Sequence, residues 1–153
     1  MGFLLGVSCI LPASEAGIHP FYVSRLTVGK EAYRAARFQE AVDDLRIGCF
    51  GLLEQPPILL ECTARLALAQ KAAGRAASVD ETLRRFNEIE SRFGAWKQVD
   101  LELPIRADFV KLVKERKGFD ALAAAISVPA VPSARTATPA PVITPNLRKK
   151  ILG

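Results

Sequence analysis

The stretch Val28–Cys49 (VGKEAYRAARFQEAVDDLRIGC) restricts the fold more than any other part of the chain. Val28, Ala32 and Ala35 recur on one helical face. Phe38, Ala41, Val42, Leu45 and Cys49 recur on a second, at three- and four-residue steps. Two helices are therefore expected. The break near Ala36-Arg37 holds neither Pro nor Gly, so the turn between them must be tight. Gly29 stands where a better helix former would be favoured by about 0.5–1 kcal/mol. Gly29, Ala32 and Ala41 are small where two backbones would meet, and Phe38 and Leu45 fill the gaps. That pattern suits a closely packed antiparallel helix pair.

The same residues resemble the tetratricopeptide repeat (TPR). That family's unit has an apolar-small pair, then an aromatic, a later alanine and a large apolar residue at fixed steps. Val28-Gly29 stands for the pair, and Ala32 takes the aromatic position with Tyr33 one residue late. Ala41 and Leu45 take the last two, and the closing proline is displaced to Pro56-Pro57. Leu66-Ala67, Gln70, Val79 and Leu83 repeat the order, with Ala67 lying 38 residues after Gly29. The family period is about 34, and the Glu54–Pro57 linker absorbs the difference. The resemblance implies an all-α fold: antiparallel helical hairpins stacked as a short TPR-like solenoid. In that family the first helices of successive repeats line a concave groove that takes peptides or partner helices.

Helix signals mark the rest of the chain. His19-Pro20 starts the first helix, since proline suits a first turn. His19 is read as a helix-start residue, with a ligand or pH-switch role as the alternative. The first helix is expected over Phe21–Ala36 and the second over Phe38–Leu53, before Glu54–Pro57 stops and restarts the chain. A third helix is expected over Ile58–Ala73, with Gly74 as its terminator. Ser78 and Glu81 have capping-box spacing and open a fourth helix that runs to Phe93. Gly94–Glu102 shows no period and is read as a loop. Its Trp96 lids the end of the bundle, or alternatively touches a partner. Pro104–Lys117 and Phe119–Ile126 follow as two more helices, a degenerate third repeat or a cap.

Composition sets the bounds. A chain of 153 residues is expected to hold one domain, here over residues 17–126. The sequence is 50% hydrophobic but only 7% aromatic, and Ala and Leu favour helix over sheet. Residues 1–16 are apolar from Gly2 to Leu11 and too short to span a bilayer. They fit the core of a signal peptide cleaved after Ala16, although no Lys or Arg precedes the apolar run. The alternative is an apolar arm packed on the first helix. Export, to a periplasmic or extracellular space, is favoured over the cytoplasm. Residues 127–153 are rich in Pro and Ala and are read as a disordered tail. Of the net charge of +5, the tail supplies four positive charges and no acid. The folded part is nearly neutral, which argues against nucleic acid as a partner. The tail or the N-terminus could instead touch a membrane surface.

Catalytic chemistry is poorly supplied. His19 is the single histidine, and no Gly-rich phosphate loop or Cys-x-x-Cys pair occurs. No catalytic residue, metal or cofactor is expected. Cys49 and Cys62 flank the Glu54–Pro57 turn almost symmetrically. Helices packed about 8–10 Å apart bring facing Cα atoms within disulfide range. Two readings stay open: a disulfide in an exported chain, or two buried thiols acting as small apolar residues.

The TPR resemblance points to the lining of its groove. Lys30, Tyr33 and Arg34 lie off the core face of the first helix, and Glu61, Arg65, Leu68 and Lys71 off that of the third. A basic lining with Tyr33 as an apolar contact suits an acidic peptide or a C-terminal carboxylate. The expected function is a non-catalytic protein–protein interaction module, a scaffold holding a peptide or partner helix. The alternative is a structural appendage that packs by its convex face on a larger assembly, with the tail as tether.

Overall fold

Prolines open three helices and left-handed residues close three. Pro20, Pro56 and Pro104 each fall in a first turn, where a missing N–H costs nothing. The computed structural model describes residues 17–127, and the expectations for residues 1–16 and 128–153 lie outside them. Among the described residues there are six α-helices and no strand. They are α1 (Pro20–Arg34), α2 (Phe38–Phe50), α3 (Pro56–Ala72), α4 (Ala76–Phe93), α5 (Leu103–Glu115) and α6 (Asp120–Ile126). A single 3-10 turn, Trp96–Gln98, lies between α4 and α5.

The turns after α1 and α3 are the same motif. Arg37 N–H donates to the Ala32 carbonyl at 2.9 Å, and Arg75 N–H to the Gln70 carbonyl at 2.8 Å. Each turn needs one left-handed residue. Gly74 supplies it after α3 at φ +74°, but after α1 it is Ala36 at φ +58°. That left-handed residue is why α1 stops at Arg34 and not at Ala36. It also explains the start of α4. Arg75 completes the turn, so the helix begins at Ala76 and Ser78 is already inside its first turn. The expected Ser78–Glu81 capping box does not form, and α4 has no side-chain cap. α2 is shorter than predicted, because the chain turns through Gly51–Glu54 while Leu52 stays buried.

The inward face of α1 is rotated from the one predicted. Leu26, Gly29 and Ala32 point inward, while Val28 and Ala35 are exposed. α1 and α2 meet through glycine. A Cβ on Gly29 would lie 2.7 Å from Leu45 Cγ, and one on Gly48 would lie 2.9 Å from the Leu26 backbone nitrogen. Each helix thus presents a glycine to the other's leucine.

α3 is the centre of the molecule. It packs against α1, α2, α4, α5 and the 3-10 turn, and every residue from Leu59 to Gln70 is buried. Leu59, Cys62, Leu66 and Ala69 join the core formed with α1 and α2. Leu60, Ala64, Ala67 and Leu68 join the core formed with α4, α5 and α6. The second core holds Trp96, which is buried between Phe86 and Phe109 with both ring centroids at 5.6 Å. Its Nε1–H donates to the Ile126 carbonyl at 3.0 Å. Trp96 is therefore a core residue that ties α4, α5 and α6 together. Cys49 and Cys62 are joined in a disulfide, Cα atoms 5.6 Å apart, which links α2 to α3.

Two predictions follow from the seams. Gly48→Ala would press on the Leu26 backbone, which cannot swing aside, and should lose about 1–3 kcal/mol, whereas Ala36→Gly should gain up to about 1 kcal/mol by relieving a left-handed alanine. Urea denaturation of both variants reads the two signs. For the disulfide, reductant should lower stability by about 2–4 kcal/mol and have no effect on a Cys49→Ala/Cys62→Ala chain. Denatured, unreduced protein should leave neither cysteine open to alkylation.

Candidate functional site

The residues that the sequence places on a groove lie on the α1–α3 side, and α5 completes that side. Lys30, Tyr33 and Arg34 fall within one turn of α1. Glu61, Arg65 and Leu68 follow at helical steps on α3, with Lys71 one turn later. The structure brings them together but not as an open basic lining. Lys30 Nζ lies 2.5 Å from Glu61 Oε1, and Arg65 Nε donates to the same oxygen at 3.0 Å. Glu102 accepts from Arg65 with one oxygen and from Arg34 with the other, the latter at 2.9 Å. Lys71 Nζ donates to Glu115 at 2.8 Å. The result is a continuous ionic chain, Lys30–Glu61–Arg65–Glu102–Arg34, that stitches α1, α3 and the start of α5.

Two of the predicted contacts are not surface at all. Arg65 is 5% exposed and Leu68 is buried in the core beside Phe109. The physical reason is that α1 and α5 pack on this side of α3 and cover the face on which they would be presented. Tyr33 is half-buried against both cores, with its ring 5.6 Å from that of Phe38. Burial pushes its hydroxyl pKa up, Asp108 adds to that, and Arg65 opposes it. His19 is the N-cap of α1, its Nδ1 accepting from Phe21 N–H at 3.2 Å.

Glu102 and Glu115 were absent from the sequence-level site. Glu102 sits in the aperiodic stretch before α5, where no spacing reveals its partner. The one local signal was its place just ahead of Pro104, a helix start. Burial alone would raise the Glu102 carboxyl. Its own backbone N–H, the hydrogen bond and charge of Arg65, and the hydrogen bond from Arg34 outweigh that and hold it at about 2.

Among the described residues, no group of three or more His, Cys, Asp or Glu side chains is placed to hold a metal ion. No helix there is long and apolar enough to cross a membrane. No family model matches the chain, and comparison with curated proteins and with solved structures returns no match.

The depressed Glu102 pKa predicts an acid-sensitive clamp. The ionised form is favoured in the folded state, so its stabilisation is present above the ordinary carboxyl value of 4.5. It fades as pH falls from there toward about 2. Glu102→Gln should therefore be less stable than wild type at neutral pH and lose less stability between those two values. Urea midpoints measured across that range test this, and parallel pH profiles would reject it.

Proposed function

We propose that this chain is a non-catalytic interaction module of TPR-like build, a helical scaffold that docks another protein. The build is supported by two hairpins closed by the same turn motif and by buried small residues at Gly29, Ala41 and Ala67. It is also supported by the way α3 packs on both α1 and α5, as the first helices of successive repeats would.

One surface carries the docking reading. Phe50 is 65% exposed, Phe21 46% and Ile47 42%, and all three line a cleft of 540 Å3 together with Tyr22. Large apolar side chains gathered on one patch, rimmed by Asp43 and Arg46, are what a protein partner buries. This favours the appendage reading, in which the outer face of α1–α2 packs on an assembly. The α1–α3–α5 side is the weaker docking face, because an acidic peptide there would have to displace Glu61, Glu102 or Glu115 from their pairs.

Affinity capture from the native host with the full chain separates the two faces. A protein retained by wild type and by Arg34→Glu/Lys71→Glu should be lost at least about tenfold with Ile47→Asp/Phe50→Asp. Loss with the charge-reversed chain instead would move the partner to the α1–α3–α5 side. Retention by both variants would remove the docking proposal, provided circular dichroism shows both folded.

A further inference from the structure

The two sides of α3 treat their cations differently. On the α1–α3–α5 side, Lys30, Arg34, Arg65 and Lys71 are each answered by a carboxylate. On the other side α2 and α4 both pack on α3 and leave a cleft of 420 Å3 between them. Arg46 stands on its α2 wall, and Arg75 and Arg85 on its α4 wall. Among the described residues none of these three arginines is ion-paired. Glu81 is the one carboxylate in the lining, which leaves the cleft with two positive charges in excess.

The floor of the cleft adds an independent observation. Gln70 is only 5% exposed and lines it. Its Oε1 accepts from Thr82 Oγ1 at 2.8 Å, and its carboxamide N–H groups are not sealed from solvent. Among the described residues they meet no acceptor. An anion in the cleft would give those N–H groups an acceptor in place of water. The α4 helix end reinforces this. Its first turn has neither a side-chain cap nor an acid, and Arg75 and Ser78 bring that turn to the cleft. Helix N-termini favour anions.

We propose that this cleft binds a soluble phosphomonoester that carries an apolar group. The charge selects the anion: a phosphomonoester carries about −1.5 to −2 at neutral pH, close to the excess in the lining. A carboxylate carries half of that and leaves an arginine unanswered. Guanidinium forks match phosphate oxygens in pairs. The apolar part has Leu66 and Phe50 to rest on, and the volume lies within the range of about 300–1,000 Å3 typical of small-molecule sites. The cleft shares Arg46 and Phe50 with the proposed docking patch, but Gln70, Arg75 and Arg85 belong to the cleft alone, so the Gln70→Glu variant separates failure of one from failure of the other.

Phenyl phosphate is the probe, titrated into the full chain by calorimetry at low ionic strength. Saturable one-to-one binding is expected. Arg46→Gln/Arg85→Gln changes two exposed side chains, and Gln70→Glu keeps the Thr82 bond while placing a carboxylate in the floor. Each should weaken binding by about tenfold or more, the contribution of a charge-assisted hydrogen bond. Arg34→Gln/Lys71→Gln removes the same charge from the opposite side and should leave binding unchanged. Benzoate should bind at least about tenfold more weakly than phenyl phosphate. The proposal is overturned by absent saturation, by equal loss in the opposite-side control, or by equal affinity for benzoate. Binding to phosphatidate vesicles without binding of phenyl phosphate in solution also overturns it, since the source would then be a lipid surface.

Discussion

A helix packed against four others leaves few of its polar side chains to water, and α3 is such a helix. It carries Glu61, Thr63, Arg65 and Gln70 inside the molecule. Each needs a partner, and the search for partners shapes what surrounds it. Thr63 turns back to the Leu59 carbonyl at 2.7 Å. Gln70 takes the Thr82 hydroxyl from α4. Arg65 is the demanding one, because an unanswered buried guanidinium would cost about 3–5 kcal/mol. Glu61, one turn earlier, answers only part of it. The remainder comes from Glu102, so the chain between α4 and α5 has to deliver a carboxylate to that point before α5 can start. The route of that connection is set by one buried charge as much as by the apolar residues Val99 and Leu101 that it also buries.

The α1–α2 seam follows a different rule. Its helices approach through Gly29 and Gly48, so their small faces are spent on each other. The large apolar residues that remain, Phe21, Ile47 and Phe50, then have nowhere to go but outward. Close packing on one side of the hairpin and apolar exposure on the other are thus one arrangement. The disulfide ties this hairpin to α3 at Cys62, deep in the first core. A hairpin whose seam rests on glycine is thereby anchored to the one element that both cores share.

Much of this was legible in the residues, and the failures share a cause. Apolar periodicity located every helix, and Gly74 marked an end that holds. Cys49 and Cys62 could be set facing each other because a hairpin turn lies between them, and local geometry is enough for that. Ala36 was missed as a helix end because alanine carries no signal for a left-handed turn. Ser78 had the spacing of a cap, but the turn before it closed too soon. The face of α1 was turned by one step because Val28 looked like core, whereas the glycine beside it was the true contact. The groove fared worst. Lys30, Arg34, Arg65 and Lys71 read as a basic lining although Glu61 stood among them, and Glu102 and Glu115 reach them from 37 to 68 residues away. Spacing within a helix cannot report a partner that arrives from another.

The same comparison of partners gives the two sides of α3 their different characters. Where α1, α3 and α5 meet, cations and carboxylates cancel, and each pair pins one helix to another. Charge there serves the fold, and a ligand would have to compete with it. Between α2 and α4 no carboxylate from a neighbouring helix reaches the arginines, because those two helices pack on α3 and leave open space between them. Positive charge is kept there without structural use, beside the Gln70 amide, whose N–H groups meet no protein acceptor among the described residues. Unpaired charge contributes nothing to stability and leaves like charges close together. A cleft of that kind is better understood from what it would hold than from what holds it up.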